Sequence, residues 1–294
     1  MTYFVFSATT AAGFSSLAAG NWIPVVIASG VLLVKVPAFP FSIWLPEAHV
    51  EASWPGSLAL AAYALKFATL AVVGFLTRRL CEVDVVNFLL LFSVVFSIVC
   101  LGSSADVKKL IANLSILHMC ATILILLGQS INKAHFLVNF SWHHHSIVTG
   151  SIFLMVGFTY AVSGSRILRF HAQNTSNMPV LATLFLTLLT FSLDLPWTPN
   201  VFVEISFVKI VATSVPVVAI FLISYFWIVV AAYLKIFATS SVSRSGSTAM
   251  SSHGVTSDLP STTILAITAP LLALLLIGFG LRWHIFSSLP EHRT

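Results

Sequence analysis

Charge is scarce in this chain. Of its 294 residues, 8% are Asp, Glu, Lys or Arg and 58% are hydrophobic, whereas soluble domains carry about 25% charged residues. That scarcity excludes an ordinary soluble domain, and the length divides better into membrane spans of about 20 residues. Cysteine is scarce as well. Cys81, Cys100 and Cys120 are odd in number and far apart, which gives neither a CxxC metal pattern nor a disulfide framework. No GxGxxG opens a helix and no histidine pair suits haem, so no redox cofactor is expected on the chain. No basic segment precedes an apolar run with a small-residue cleavage site, so no signal peptide is expected. The net charge of +5 is spread over single residues and pairs. It reads as loop charge that orients spans, not as a nucleic-acid surface; lipid is the expected surrounding.

What the chain has is long apolar runs. They fall at residues 3–19, 22–35, 57–76, 85–102, 110–127, 135–162, 179–210, 215–235 and 264–281. This is an all-α polytopic membrane protein with about nine transmembrane helices. Two of the runs are interrupted by proline, which removes a helical donor and clashes one turn back. The second run breaks at Pro37, with a short continuation over 39–45, and the seventh breaks at Asp194–Asn200. Corresponding broken helices in two halves point to a binding or transport site built on repeats. The division expected is 1–76 and 77–239 as the two halves, 240–262 as a polar Ser/Thr/Gly loop, and 263–294 as a final span with a short tail.

Lys35 and Lys66 each lie in an apolar run. A lysine at the bilayer centre costs roughly 2.5–3.5 kcal/mol on the mild insertion scale. Burial disfavours the charged form of an amine, which suits it to load and release a proton. The competing reading for Lys35 is snorkelling from the helix end. Glu204, in FVEISFVKIV, needs a partner, water or a proton; Lys209, five residues on, does not share its face well. A proton relay is the preferred reading, and an ion pair to a neighbouring helix is the other. His118 and His145 are the remaining polar points inside apolar runs, and simple hydrogen bonding competes with function for both. His143, His144 and His145 are consecutive, so their side chains diverge on a helix and do not converge on one metal ion.

The run VKVPAFPFSIWLPEAHVEASWPGSLALAAYALK, residues 34–66, resembles the signature of the antiporter-like membrane subunits of respiratory complex I. The subunit 4 branch is the most similar, with its K-x-P-x-x-P-x-x-x-W-L-P-x-A-H-x-E-A-P pattern and in-span lysine. SSADVKKLIANLSILHM, HSIVTGSIFLMVGFTY and LPWTPNVFVE are similar to three further family motifs in the same order. The resemblance implies two inverted five-helix repeats, each with a discontinuous helix. It places the family's proton-relay residues on Lys35, Lys66, His118, His145 and Glu204, the candidates already chosen from burial and charge. Lys108 matches a basic loop residue of the family and is expected to be structural.

By the same resemblance, the activity expected is proton translocation in NADH:ubiquinone oxidoreductase, in the mitochondrial inner membrane. FMN, iron–sulfur clusters and ubiquinone would then sit elsewhere in the complex, and subunits 2 and 5 would be neighbours. The family form carries further helices before this point, one with a glutamate that pairs with the lysine at Lys35. A separate N-terminal polypeptide supplying that glutamate is therefore expected, because a lone buried lysine bears the whole desolvation penalty. Departures from the family pattern are Ser53-Trp54-Pro55, Ser146 in place of a glycine, and the extra ionisable residues Asp194 and Lys209, which are candidates to pair with each other. A stand-alone cation/proton antiporter and a purely structural subunit are the alternative functions.

Overall fold

The computed structural model describes residues 23–66, 84–128, 131–163, 179–192, 198 and 200–214. These form α1 (Ile23–Lys35), a 3-10 turn (Phe41–Ile43), α2 (Trp44–Glu51), α3 (Trp54–Ala59) running into a π-helical segment (Leu60–Ala64), α4 (Asp84–Ser103), α5 (Val107–Gly128), α6 (Ile131–Ser163), α7 (Pro179–Ser192) and α8 (Val201–Ser214). Among the described residues there is no strand. The spans expected at 3–19, 215–235 and 264–281, the polar loop and Asp194 lie outside them.

Two described helices, Asp84–Ser103 and Val107–Leu127, are long and apolar enough to cross a membrane. Their surroundings differ. Nearly every residue of α5 is buried, from Ile111 to Leu126 without exception, because α2, α4, α6 and α8 all pack on it. α4 buries only one stripe, Val86, Leu90, Ser93, Val94, Ser97, Ile98 and Leu101, at helical spacing. Its other side exposes Val85, Phe88, Phe92, Phe96 and Val99, a surface made for lipid.

Polar contacts fix how the helices run. Thr122 Oγ1 lies 3.1 Å from Ser141 Oγ, and the His118 and His145 rings sit 5.7 Å apart. Each step forward on α5 is matched by a step back on α6, so the two are antiparallel, and the level of Phe153 on α6 falls beside Leu110 on α5. α3 and its π-helical continuation are likewise antiparallel to α6. Gly157 faces Trp54 and Gly150 faces Leu58 and Ala62, while Ser146 bonds the Ala62 carbonyl at 2.8 Å.

Proline starts the short helices as well as ending the long one. α1 stops at Lys35, two residues before Pro37, and the chain re-enters helix with Pro46 and Pro55 in the first turns of α2 and α3. There a missing N–H costs nothing. The backbone groups freed at the break are met by neighbouring helices, as an apolar surrounding demands. Ser93 Oγ accepts from Phe39 N at 2.7 Å, Trp44 Nε1 donates to the Val34 carbonyl at 3.1 Å, and the Cys120 thiol points at the Val36 carbonyl at 3.8 Å. At the head of α5, the Asp106 carboxylate accepts from Lys108 N at 2.7 Å, an N-cap that satisfies one of the open amides of the first turn.

Candidate functional site

Lys66 emerges just past the π-helical segment, a local widening often found at functional sites. The widening redirects backbone carbonyls, and Lys66 Nζ donates to that of Ala61. Ser146 Oγ of α6 reaches the Ala62 carbonyl and its own Trp142 carbonyl, each at 2.8 Å. The serine that stands where the family has glycine thus bonds the π-helical segment to α6.

The antiparallel register brings Lys66 Nζ to 2.7 Å from His145 Nδ1, both residues being buried. An ammonium has donors only, so Nδ1 accepts while Lys66 is charged and the proton of a neutral His145 resides on Nε2. The His145 ring meets the His118 ring edge to face at 5.7 Å between centroids. His118 Nε2 lies 2.8 Å from the Ser192 carbonyl and must donate to it. Its Nδ1 therefore presents a lone pair to Glu204 Oε1 at 3.7 Å. A lone pair facing a carboxylate repels it, so this contact is favourable when one proton resides on either partner.

The four side chains form one line from Lys66 through His145 and His118 to Glu204. Only the Glu204 end is open: Lys66, His145 and His118 are all buried, whereas the Glu204 side chain is 21% exposed. Each of the line's four side chains can take up or release a proton.

Lys35 stands apart. It is exposed at the end of α1 on a face that also exposes Val26, Ile27, Val31 and Val34. Its ammonium has no hydrogen bond or ion pair among the described residues. Lys209 is exposed on α8, and its suggested partner Asp194 lies outside the described residues. The three consecutive histidines diverge as expected. His143 is exposed and its Nδ1 lies 2.6 Å from the Asn139 carbonyl, His145 turns to Lys66, and His144 is buried between Phe140 and Phe191. Two buried polar residues had no assigned place in the sequence reading of the relay: His49, fully enclosed, and Lys108, whose Nζ donates to the Ala52 carbonyl at 2.6 Å.

Residues 4–230 match the model of a family described as NADH:quinone oxidoreductase/Mrp antiporter, TM. NADH-ubiquinone oxidoreductase chain 4 of Acanthamoeba castellanii is 34% identical over 172 residues, 57% of this chain and 34% of that protein. The chain 4 of Chlamydomonas reinhardtii is 32% identical over 180 residues, 60% of this chain and 40% of that protein. NADH-quinone oxidoreductase subunit M of Rickettsia typhi is 31% identical over 170 residues, 56% of this chain and 34% of that protein. The matched segment thus spans little more than a third of these relatives' length. Among solved structures, a chain of respiratory complex I from Thermus thermophilus superposes with a TM-score of 0.70 at 20% identity, over 85% of this chain and 53% of that one. A chain of the Mrp complex from Dietzia sp. superposes with a TM-score of 0.67 at 17% identity, over 90% of this chain and 58% of that one.

Proposed function

The chain belongs to the NADH:quinone oxidoreductase/Mrp antiporter transmembrane family, and we propose that it is a proton-translocating membrane-arm subunit of respiratory complex I. The observation that carries this reading is the buried line Lys66–His145–His118–Glu204, with contacts of 2.7 Å at one end and 3.7 Å at the other. A charged Lys66 passes a proton to His145 Nδ1 and becomes neutral, and His145 releases its Nε2 proton toward His118. His118 then gives up the proton on its Nδ1 to the Glu204 carboxylate, which is open enough to exchange it with water. Each transfer moves one proton; His145 ends with its proton on Nδ1, and its ring must turn or exchange that proton before Lys66 can load it again.

In this reading the chain does no redox chemistry. Electron transfer from NADH to ubiquinone, through FMN and iron–sulfur clusters on other subunits, changes the charge and hydration around the line and so drives it. The chain-4 relatives from eukaryotes support a place in the mitochondrial inner membrane; subunits 2 and 5 of the complex are the neighbours this reading assigns. Lys35 joins the relay when a carboxylate covers it. Its exposed, apolar surroundings favour a membrane helix as the source.

The test is Lys66→Met in the assembled complex. Met keeps the length and apolar bulk of the lysine stem and removes the proton carrier. NADH-driven proton uptake by membrane vesicles is expected to collapse while native gels show normal assembly. Unchanged uptake in an assembled variant would sink the relay. A second reading, a stand-alone cation/proton antiporter, draws on the similarity in fold to an Mrp-complex chain. It requires sodium-dependent proton exchange by vesicles that contain no other complex I subunit.

A further inference from the structure

His49 is fully enclosed, yet neither ring nitrogen has a hydrogen-bond partner among the described residues. Its only described ring contact is Phe153 of α6, on which it stacks at 4.5 Å between centroids and 13° between planes. A buried imidazole always has one N–H donor and, when neutral, one acceptor, and buried polar groups are almost always satisfied, by protein or by ordered water. The placement of this ring is informative. Phe153 lies eight residues beyond His145 on α6, about 12 Å along the axis, in the direction of the N-terminal end of α5. By the antiparallel register it stands level with Leu110, about half a turn from Lys108. The charges of Lys66 and Lys108 both act on the His49 ring. Lys108 is held nearby through its bond to Ala52, three residues past His49. Immediately beyond Lys108 the chain meets the exposed residues Gly102, Ser103 and Ala105, where α5 begins.

We propose that His49 is a second proton-transfer branch, joining the Lys66–His145 pair through water held at its two ring nitrogens to Lys108 at the outer end of α5. The branch rests on the proton-carrying reading above and gives its buried lysine a connection to the surface independent of Glu204. The imidazole takes a proton on one nitrogen and releases one from the other, so a single proton enters and a single proton leaves. Phe153 stacks on the ring and holds its plane. The role contrasts with that of His144, which is also buried between aromatic rings but has its place beside His118.

The experiment compares His49→Phe, His49→Gln and Lys66→Met in the assembled complex, by native gel and by NADH-driven proton uptake per NADH oxidised. Phe keeps the flat ring on Phe153 and lacks both nitrogens; Gln keeps polarity and loses the ring. The branch predicts that both His49 variants assemble and that uptake falls by about tenfold in each, below the range usual for losing a positioned acid–base group because the Glu204 end remains. A packing role predicts normal uptake in His49→Phe, and that result overturns the proposal, as does failure of both variants to assemble. If His49→Phe alone fails to assemble, the uptake of His49→Gln decides. Normal uptake in Lys66→Met would instead overturn the underlying relay, whatever the His49 variants do.

Discussion

Gly157→Ala should loosen the interface that aligns Lys66 with His145, and its cost is readable from the contact it makes. A Cβ on residue 157 would lie 2.6 Å from both Cβ and Cγ of Trp54 and 3.1 Å from its Cδ2, against about 3.5–4.0 Å for unstrained carbon contacts. Cγ can swing away, since Trp54 is 47% exposed. Trp54 Cβ cannot, because it is fixed to the α3 backbone, so the helices must part by about 1 Å. Overpacking of this kind costs about 1–3 kcal/mol. Replacing a helical glycine by alanine returns up to about 1 kcal/mol. Gly150→Ala is the internal control: its nearest neighbours, Ala62 and Leu58, are both at an ordinary 3.8 Å. The propensity gain is common to both variants, so their difference isolates the steric term, about 1–3 kcal/mol in favour of Gly150→Ala. Thermal dissociation of the complex in mild detergent, followed by release of this chain, should therefore begin at a lower temperature in Gly157→Ala. Adding Trp54→Ala should recover only part of the loss, because alanine keeps the Cβ at the tightest contact. Equal midpoints for the two glycine variants would refute the close packing of α3 on α6 and, with it, the register that brings Lys66 to His145.

Two further outcomes separate the relay from the scaffold around it. His118→Gln keeps an amide N–H able to donate to the Ser192 carbonyl, a contact of 2.8 Å in the native chain, but cannot pass a proton to Glu204. The complex should assemble normally and its NADH-driven proton uptake should fall as far as in Lys66→Met; retained uptake would remove His118 from the line. Lys109→Met breaks the 2.9 Å ion pair with Glu47, whose side chains are 41% and 57% exposed. Exposed pairs are screened and contribute little, so assembly and uptake should be unchanged at high and low salt, checked by the same gels and vesicles.

The sequence was most legible where charge interrupts apolar sequence. Lys66, His118, His145 and Glu204 stood out because each ionisable group in an apolar run demands a partner, and the fold brings all four into one line. Helix ends also followed local chemistry: α4, α5 and α6 begin and end within a few residues of the runs at 85–102, 110–127 and 135–162. Less was legible around the first break. Residues 39–45 read as a continuation of the preceding span, whereas the helix resumes as Trp44–Glu51, since Pro46 is tolerated in a first turn. Nothing in LAAYA marks a π-helical segment, because it depends on Lys66 and Ser146 drawing carbonyls outward.

The buried faces were the least legible, for a physical reason. Amphipathic periodicity reveals which side of a helix meets the core only when the other side is polar. In α6 both sides are apolar, so His144 carried no sign of orientation. Lys108 was expected to be structural, and its burial, at 6% exposed, is what the sequence left unmarked. It turns inward because the Ala52 carbonyl, just past the C-terminal end of α2, lies within reach and accepts a hydrogen bond from it. That carbonyl ends the short helix that follows the break at Pro37, so the residue that holds this segment is also one whose charge reaches His49.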